Sequence, residues 1–410
     1  MMPECPEGVA LDPIDGGVTA PAGFRAAGVA CGIKKTGALD LALLVADGPA
    51  TAAGVFTTNK AQAAPVLVSR EHLARSGGLA RAIVVNSGCA NACTGPEGMA
   101  VARSSADFVA SITGCPADQV LVASTGVIGV QLDLDRLRKG AGEAARVLSR
   151  EAHGDAARAI MTTDRTPKSA AVSVTTAAGA FRVGGMAKGA GMIEPHMATM
   201  LGFVTTDAAV AAPVLQRALR EAVDVTFNAI TIDGDTSTND TVFLLASGAS
   251  GVEIDEAVYP AFAAALREVC GSLARAIVRG GEGVTKLVSI SATGAASAAD
   301  ARRAAGTIAN SLLVKTALHG GDPNWGRLLA AAGRAGVAFD VEHASVRVGP
   351  VVLFQDGVPF DDRAPEAAVY LAGSELAIEI DLGAGGTHSA AVWTCDLSAE
   401  YVAINADYRT

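Results

Sequence analysis

The stretch GGMAKGAGMIEPHMATMLGFVTTDAAV, residues 184–210, changes character halfway along. Its first part, Gly184 to Met192, reads as a flexible glycine-rich loop, and ATMLGFVTT reads as the entry to a buried strand. Ala198 and Thr199 stand at the junction, with Lys188 eleven residues before Thr199. A threonine hydroxyl is a weak nucleophile until a base takes its proton, and a free α-amino group on the same residue, with a pKa of roughly 7.7–8.0, is such a base. An internal threonine gains that amine only if the chain is cut just before it. The hydroxyl can make the cut itself, attacking the preceding carbonyl in an N-to-O acyl shift that hydrolysis completes. A small residue such as Ala198 leaves that carbonyl open, and the glycines let the backbone bend. A β-branched threonine also simply suits a strand, so composition and spacing leave both readings standing.

The totals narrow the class. With 410 residues the chain is long enough for two or three packed lobes. Half the residues are hydrophobic and only 4% aromatic, which suits a soluble α/β protein with an Ala, Val, Leu and Ile core. Lys and Arg number 32 against 42 Asp and Glu, a formal charge of -10, and no basic run offers a nucleic-acid face. The start, MMPECPEGVALDPIDGG, lacks the basic and apolar regions of a secretory signal. No stretch has the roughly 18 uninterrupted apolar residues of a membrane span. Seven dispersed cysteines suggest reduced thiols and a cytoplasmic protein. Cys89 and Cys93 have the spacing of a metal pair, but nothing completes a four-ligand set, so both are expected to be small buried residues and no metal is expected.

Amphipathic periodicity predicts helices over Pro213–Val225 and Glu256–Val278, around Leu134–Leu148, and around Ala298–Leu313. Strands are expected at Leu41–Ala46, Ala82–Asn86, Gln119–Ser124, Thr241–Ser247, Thr285–Ala292, Ala344–Phe354 and Leu376–Leu382. Several are apolar throughout, as strands covered on both faces are. Strand and helix do not alternate strictly, which disfavours a doubly wound nucleotide fold. The phosphate loop, H-E-x-x-H and G-x-S-x-G signatures are missing from the sequence. DGDTSTND, Asp233–Asp240, fails as a calcium loop because Thr238 and Leu244 occupy its glycine and glutamate positions. In GGDPNWGRLLAA, Asp322 reads as an N-cap with Pro323 at the first helical position, where free N–H groups offer a carboxylate site.

MAKGAGMIEPHMATMLGF resembles the cleavage segment of the glutamate N-acetyltransferase / ornithine acetyltransferase family of arginine biosynthesis. Further motifs follow in family order: VTAPAGFRAAGVACGIKK (18–35), TAAGVFTTNKAQAAPV (51–66), VVNSGCANACTG (84–95), STGVIG (124–129), MTTDRTPK (161–168), FNAITIDGDTSTND (227–240), GGEGVTK (280–286), HGGDPNWGR (319–327) and the terminal YVAINADYRT. Together they span nearly the whole chain. Glu194 and His196 depart from the family pattern, which commonly has an uncharged residue and an asparagine there; His196 is read as a tolerated loop substitution.

The resemblance implies two stacked β-sheets between helical layers, an αββα sandwich like that of N-terminal-nucleophile hydrolases but with different connectivity. It implies self-cleavage between Ala198 and Thr199 into an α-chain (1–198) and a β-chain (199–410), assembled as a heterotetramer of two of each. Thr199 would be the nucleophile, with its α-amine as base, and Thr125 and Gly126 the oxyanion hole. Thr162, Lys188, Thr199, Glu282, Asn405 and Thr410 match substrate-binding positions. The expected reaction moves acetyl from N2-acetyl-L-ornithine to L-glutamate through an acetyl-threonine. It needs no cofactor, and acetyl-CoA is a possible second donor. A self-processing N-terminal-threonine amidase or peptidase, and a non-catalytic amino-acid-binding protein, are the competing expectations.

Overall fold

The structure, a computed structural model, describes residues 9–194 and 200–407. His196, Ala198, Thr199 and Thr410 lie outside the described residues. The first unit contains strands β1 (Ala10–Pro13), β2 (Phe24–Val29), β3 (Leu41–Phe56), β4 (Leu79–Cys89), β5 (Val120–Val127), β6 (Lys168–Thr176), β7 (Gly179–Lys188), β8 (Leu201–Thr206) and β9 (Thr241–Ala246). Its helices are α1 (Ala64–Arg75), α2 (Gly95–Thr113), α3 (Leu134–Arg146), α4 (His153–Ala159), α5 (Ala212–Asp224) and α6 (Tyr259–Arg279). Pro65, Pro96, Pro213 and Pro260 stand in the first turns of α1, α2, α5 and α6, where a missing N–H costs nothing.

These strands form one nine-stranded sheet in the order β1-β6-β7-β8-β9-β3-β4-β5, with β2 also on β3. The long β3 belongs to both ends of it. Its Leu41–Ala46 half pairs with β2, and its Thr51–Phe56 half pairs with β9. A register shift between Val45 and Ala50, at the exposed Asp47-Gly48-Pro49, separates the halves. Side-chain alternation then makes two layers. Ala42, Leu44, Ile83, Val85, Leu121 and Ala123 from one half share a core with Met186, Leu201, Phe203, Phe243 and Leu245 from the other. The alternate residues Leu41, Leu43, Ala82, Val84, Val120 and Val122 face α1, α2 and α3. On the second half, Val242, Leu244 and Val204 face Leu215 and Leu219 of α5 and Phe262, Leu266 and Leu273 of α6. The αββα sandwich is therefore present, and its two layers are continuous through β3. This double coverage is why the strands read as uninterrupted apolar runs.

The second unit is a six-stranded sheet, ordered β13-β12-β11-β14-β10-β15. Its strands are β10 (Leu287–Ala295), β11 (Ser345–Val348), β12 (Val351–Gln355), β13 (Val358–Pro359), β14 (Glu375–Asp381) and β15 (His388–Cys395). Helices α7 (Ala298–Ala309), α8 (Leu312–Gly320), α9 (Trp325–Gly333) and α10 (Ala364–Leu371) accompany it. Ala301, Ala305 and Ile308 of α7, Leu328 of α9 and Leu371 of α10 bury against Ile290, Val346, Ile378 and Ile380. A last helix, α11 (Ala399–Asp407), returns to the first unit. No helix among the described residues is long and apolar enough to cross a membrane.

Four local expectations are corrected. Gly184–Lys188 is the end of β7, not loop: a Cβ on Gly184 would lie 2.0 Å from the Gly17 carbonyl oxygen, so glycine serves close packing there. The helix expected over 298–313 is two helices, because Ser311 takes an extended backbone (ψ 114°) and the Asn310 side chain bonds Glu194. Ala344–Phe354 is a hairpin that turns at Gly349-Pro350, with Gly349 at φ +56°. The N-cap of α9 is Asn324, whose side chain accepts the Arg327 N–H, and not Asp322, whose own N–H closes the preceding turn on Ala317.

Candidate active site

Two strand ends, two loops and the last helix meet at one cavity of about 190 Å³. Thr125 and Gly126 come from the end of β5, Thr162 from the loop before β6, Lys188 from the last position of β7, Glu282 from the loop after α6, and Asn405 from α11. Every described residue to which the family resemblance gives a site role therefore lines the same space. Gly126 has φ +127°, and a Cβ there would lie 2.4 Å from the Gly88 carbonyl carbon of β4. A Cβ on Gly191 would lie 2.6 Å from Glu282 Oε2. The motif glycines hold the cavity's walls in contact.

Lys188 is almost wholly buried, and its Nζ donates to Thr125 Oγ1 at 3.2 Å. With that oxygen's lone pair engaged, the Thr125 hydroxyl proton is left for another acceptor. Burial pulls the Lys188 ammonium below its ordinary value, against the pull of Asp164. Asp164 is the hub of this wall. It takes the Lys168 ammonium at 2.5 Å and the Gly189 N–H at 2.7 Å on Oδ1, and the Thr162 N–H at 3.1 Å on Oδ2. Burial alone would raise its carboxyl, but Lys188, Lys168 and the Gly189 N–H hold it down at about 2.

Across the cavity Glu282 is buried, its N–H on the Ala190 carbonyl at 2.8 Å and its Oε2 accepting from Asn405 Nδ2 at 2.9 Å. The loop leaving β7 is pinned by Asp233, which accepts the Met192 N–H at 2.6 Å and the Ile193 N–H at 2.8 Å. Met192 itself is held at φ +57°. Tyr401 of α11 donates its hydroxyl to Asp233 at 3.0 Å, and burial beside that carboxylate raises the phenol. Glu194 accepts from Asn310 Nδ2 at 2.8 Å and from Thr231 Oγ1 at 2.8 Å. On the far side of residues 195–199, the Met200 N–H donates to Asp240 Oδ1 at 2.8 Å, and Thr241 N–H donates to the Met200 carbonyl at 3.2 Å.

Sequence reasoning passes over Asp164, Asp233, Asp240, Asn239 and Tyr401. All five sit within segments weighed only as motifs or as a failed calcium loop. The available signal is an acid or amide set directly beside an apolar strand, where a polar side chain is buried by its neighbours. The Pro323–Arg327 helix start does not line this cavity, so the carboxylate site it offers is not part of it. Cys89 is buried as expected, but Cys93 is exposed, in the turn before α2 where its backbone is left-handed (φ +55°).

A model of the ArgJ family matches residues 25–410. Over 391 residues the chain is 50% identical to the arginine biosynthesis bifunctional protein ArgJ of Nitratidesulfovibrio vulgaris, an alignment covering 95% of this chain and 99% of that one. The protein of the same name from Synechococcus sp. is 48% identical over 409 residues, with 97% and 98% covered. Among solved structures, the arginine biosynthesis bifunctional protein of Bacillus halodurans is 41% identical and aligns with a TM-score of 0.50 over 51% of this chain and 100% of that one. Matched along almost its whole length, with its motif residues gathered around one cavity, the chain belongs to the ArgJ family.

Proposed function

We propose that the chain is a glutamate N-acetyltransferase that moves the acetyl group of N2-acetyl-L-ornithine to L-glutamate through an ester on Thr199. Family membership makes it an acetyltransferase of arginine biosynthesis; the route through Thr199 is the further step. The observation that carries it is the convergence of Thr125, Gly126, Lys188, Glu282 and Asn405 on one cavity, with a buried ammonium on one wall and a buried carboxylate on another. Such a pair is complementary to a free amino acid, whose carboxylate meets Lys188 and whose ammonium meets Glu282 and Asn405. Thr162 and Thr410 complete the binding set in this reading.

The hydroxyl of Thr199 attacks the acetyl carbonyl and its proton passes to the α-amine exposed by the cut after Ala198. The Thr125 hydroxyl and the Gly126 N–H take the developing oxyanion, where one lost donor typically costs about 3 kcal/mol. As the tetrahedral species collapses, the ornithine nitrogen takes the proton from the α-ammonium and leaves. The amine of glutamate then attacks the ester and reverses these steps. Acetyl-CoA, where accepted, would load the same ester. Two 1–198 chains and two 199–410 chains form the proposed heterotetramer.

The test joins two measurements. Denaturing mass spectrometry of the wild type should give two pieces meeting at Ala198/Thr199, and one unbroken chain for Thr199→Ala. Incubation with N2-acetyl-L-ornithine should release ornithine continuously only when glutamate is present. Equal turnover without glutamate, with acetate released, would make the enzyme an amidase; an intact, inactive wild type would leave only a binding protein.

A further inference from the structure

The acyl-transfer cycle has a base in the α-amine of Thr199, but the cut that creates this amine has none. Before the cut that nitrogen is an amide, with no basic lone pair. A different group has to take the hydroxyl proton in the first event. Asp240 has the attributes such a group needs. It precedes β9 at the centre of the nine-stranded sheet and is 1% exposed. Its Oδ1 accepts the Met200 N–H, while Oδ2 is buried and has no hydrogen-bond partner among the described residues. A buried acceptor without a donor costs about 1–3 kcal/mol, so the fold retains it against stability. Burial raises the Asp240 carboxyl well above its ordinary value, opposed by the Met200 N–H, Lys188 and Ser237. A carboxylate made more basic in this way is a better proton acceptor.

Reach follows from covalent geometry. In any chain a residue's Cα lies roughly 2.5 Å from the nitrogen of the residue after it, so a group hydrogen-bonded to that N–H is set close to the preceding side chain. The Asp240 carboxylate accepts at 2.8 Å from the nitrogen of Met200, the residue bonded directly after Thr199 in the chain. The β8–β9 pairing, Leu201 beside Thr241, keeps this spacing rigid.

We propose that Asp240 is the proton acceptor for self-cleavage, an inference that rests on the Thr199 reading above. The proton of the Thr199 hydroxyl passes to Asp240 Oδ2 as the oxygen bonds to the Ala198 carbonyl carbon. The bond from that carbon to the Thr199 nitrogen then breaks, and the nitrogen takes the proton back from Asp240 as it becomes an amine. Water hydrolyses the resulting ester between Ala198 and the Thr199 oxygen. Asp240 ends as it began, and no other reactant is consumed.

The test follows processing by intact mass over time in the wild type, Thr199→Ala, Asp240→Asn and Asp240→Glu, with thermal unfolding as the check on folding. Asp240→Asn can still accept the Met200 N–H through its amide oxygen, so it should fold, and its cutting should slow by on the order of 100-fold or more. Asp240→Glu should recover part of the rate. A folded Asp240→Asn cut at the wild-type rate overturns the proposal, as does a folded Asp240→Glu no faster than Asp240→Asn. If Asp240→Asn does not fold, Asp240→Glu is compared with Asp240→Gln, and equal rates overturn it. Should the wild type itself stay whole, the Thr199 reading has failed; a cut wild type beside an equally cut Asp240→Asn removes only the role given to Asp240.

Discussion

Two ammonium groups, Lys168 and Lys188, are buried near the Asp164 carboxylate, whose side chain is wholly enclosed, and Lys188 also feels Asp240 and Glu282. Removing the charge of a carboxylate that two buried cations share leaves charge uncompensated, at a cost of several kcal/mol. Asp164→Asn should therefore destabilise the protein at neutral pH by roughly 3–5 kcal/mol, with part of the loss recoverable if a lysine deprotonates. The pH dependence has a definite sign. The folded carboxyl sits at about 2 against an ordinary 3.8, so it is depressed by folding. Its contribution is present above 3.8 and is lost as pH falls through about 2, a change on the order of 2 kcal/mol. Urea unfolding of the wild type and of Asp164→Asn should show a wide gap at pH 7 that narrows across this acid window. A gap independent of pH would mean that shape, and not charge, makes Asp164 necessary.

At the scale of elements, the site depends on how strand ends are spaced, and glycines set that spacing. Gly126 ends β5 at φ +127° against the backbone of β4, so Gly126→Ala meets both a forbidden conformation and a 2.4 Å contact. It should destabilise by more than about 1–3 kcal/mol and abolish turnover. Gly142, within α3, has ordinary helical φ, and a methyl added to it would find nothing within 4 Å, so Gly142→Ala should stabilise by about 0.5–1 kcal/mol. Thermal melts of the two variants should move in opposite directions, and matching shifts would contradict the distinction. This contrast also explains what is legible in the sequence. Leu41–Ala46, Ala82–Asn86 and Thr241–Ser247 are recoverable because double burial writes a continuous apolar run. The β7 end, Gly184–Lys188, reads as loop because glycine carries no side chain to report burial, and its reason for being there, the Gly17 carbonyl, is more than 160 residues away. Lys188, Glu282 and Asn405 are reachable through their motifs, whereas Asp164 and Asp240 acquire meaning only once folding removes the water around them.

At the scale of the whole molecule, the proposed cut between Ala198 and Thr199 requires the two resulting pieces to be held together without a covalent link. The junction separates β1–β7 from β8 and β9, yet these do not form separate bodies. β7 pairs with β8 from Val183 beside Thr206 to Lys188 beside Leu201, and β3 pairs with β9 from Thr51 to Phe56. The interlayer core mixes Leu44, Ile83 and Met186 from upstream with Leu201, Phe203 and Phe243 from downstream. Asn239 donates across the junction to the Ala90 carbonyl at 2.7 Å and the Ser124 carbonyl at 2.9 Å. Either piece alone would expose edges of the nine-stranded sheet and a face of large apolar side chains, so the first unit needs both pieces to fold. The cut chains should therefore elute together under native conditions, near twice 41.0 kDa if the heterotetramer forms, and melt in a single calorimetric transition. Separation of the pieces without denaturant, or two independent transitions, would contradict an interleaved sheet. Where cutting is blocked in Thr199→Ala, the same pairings persist with the chain whole, so its unfolding midpoint should lie at or above that of the cut form, since the intact linkage lowers the entropy of the unfolded state.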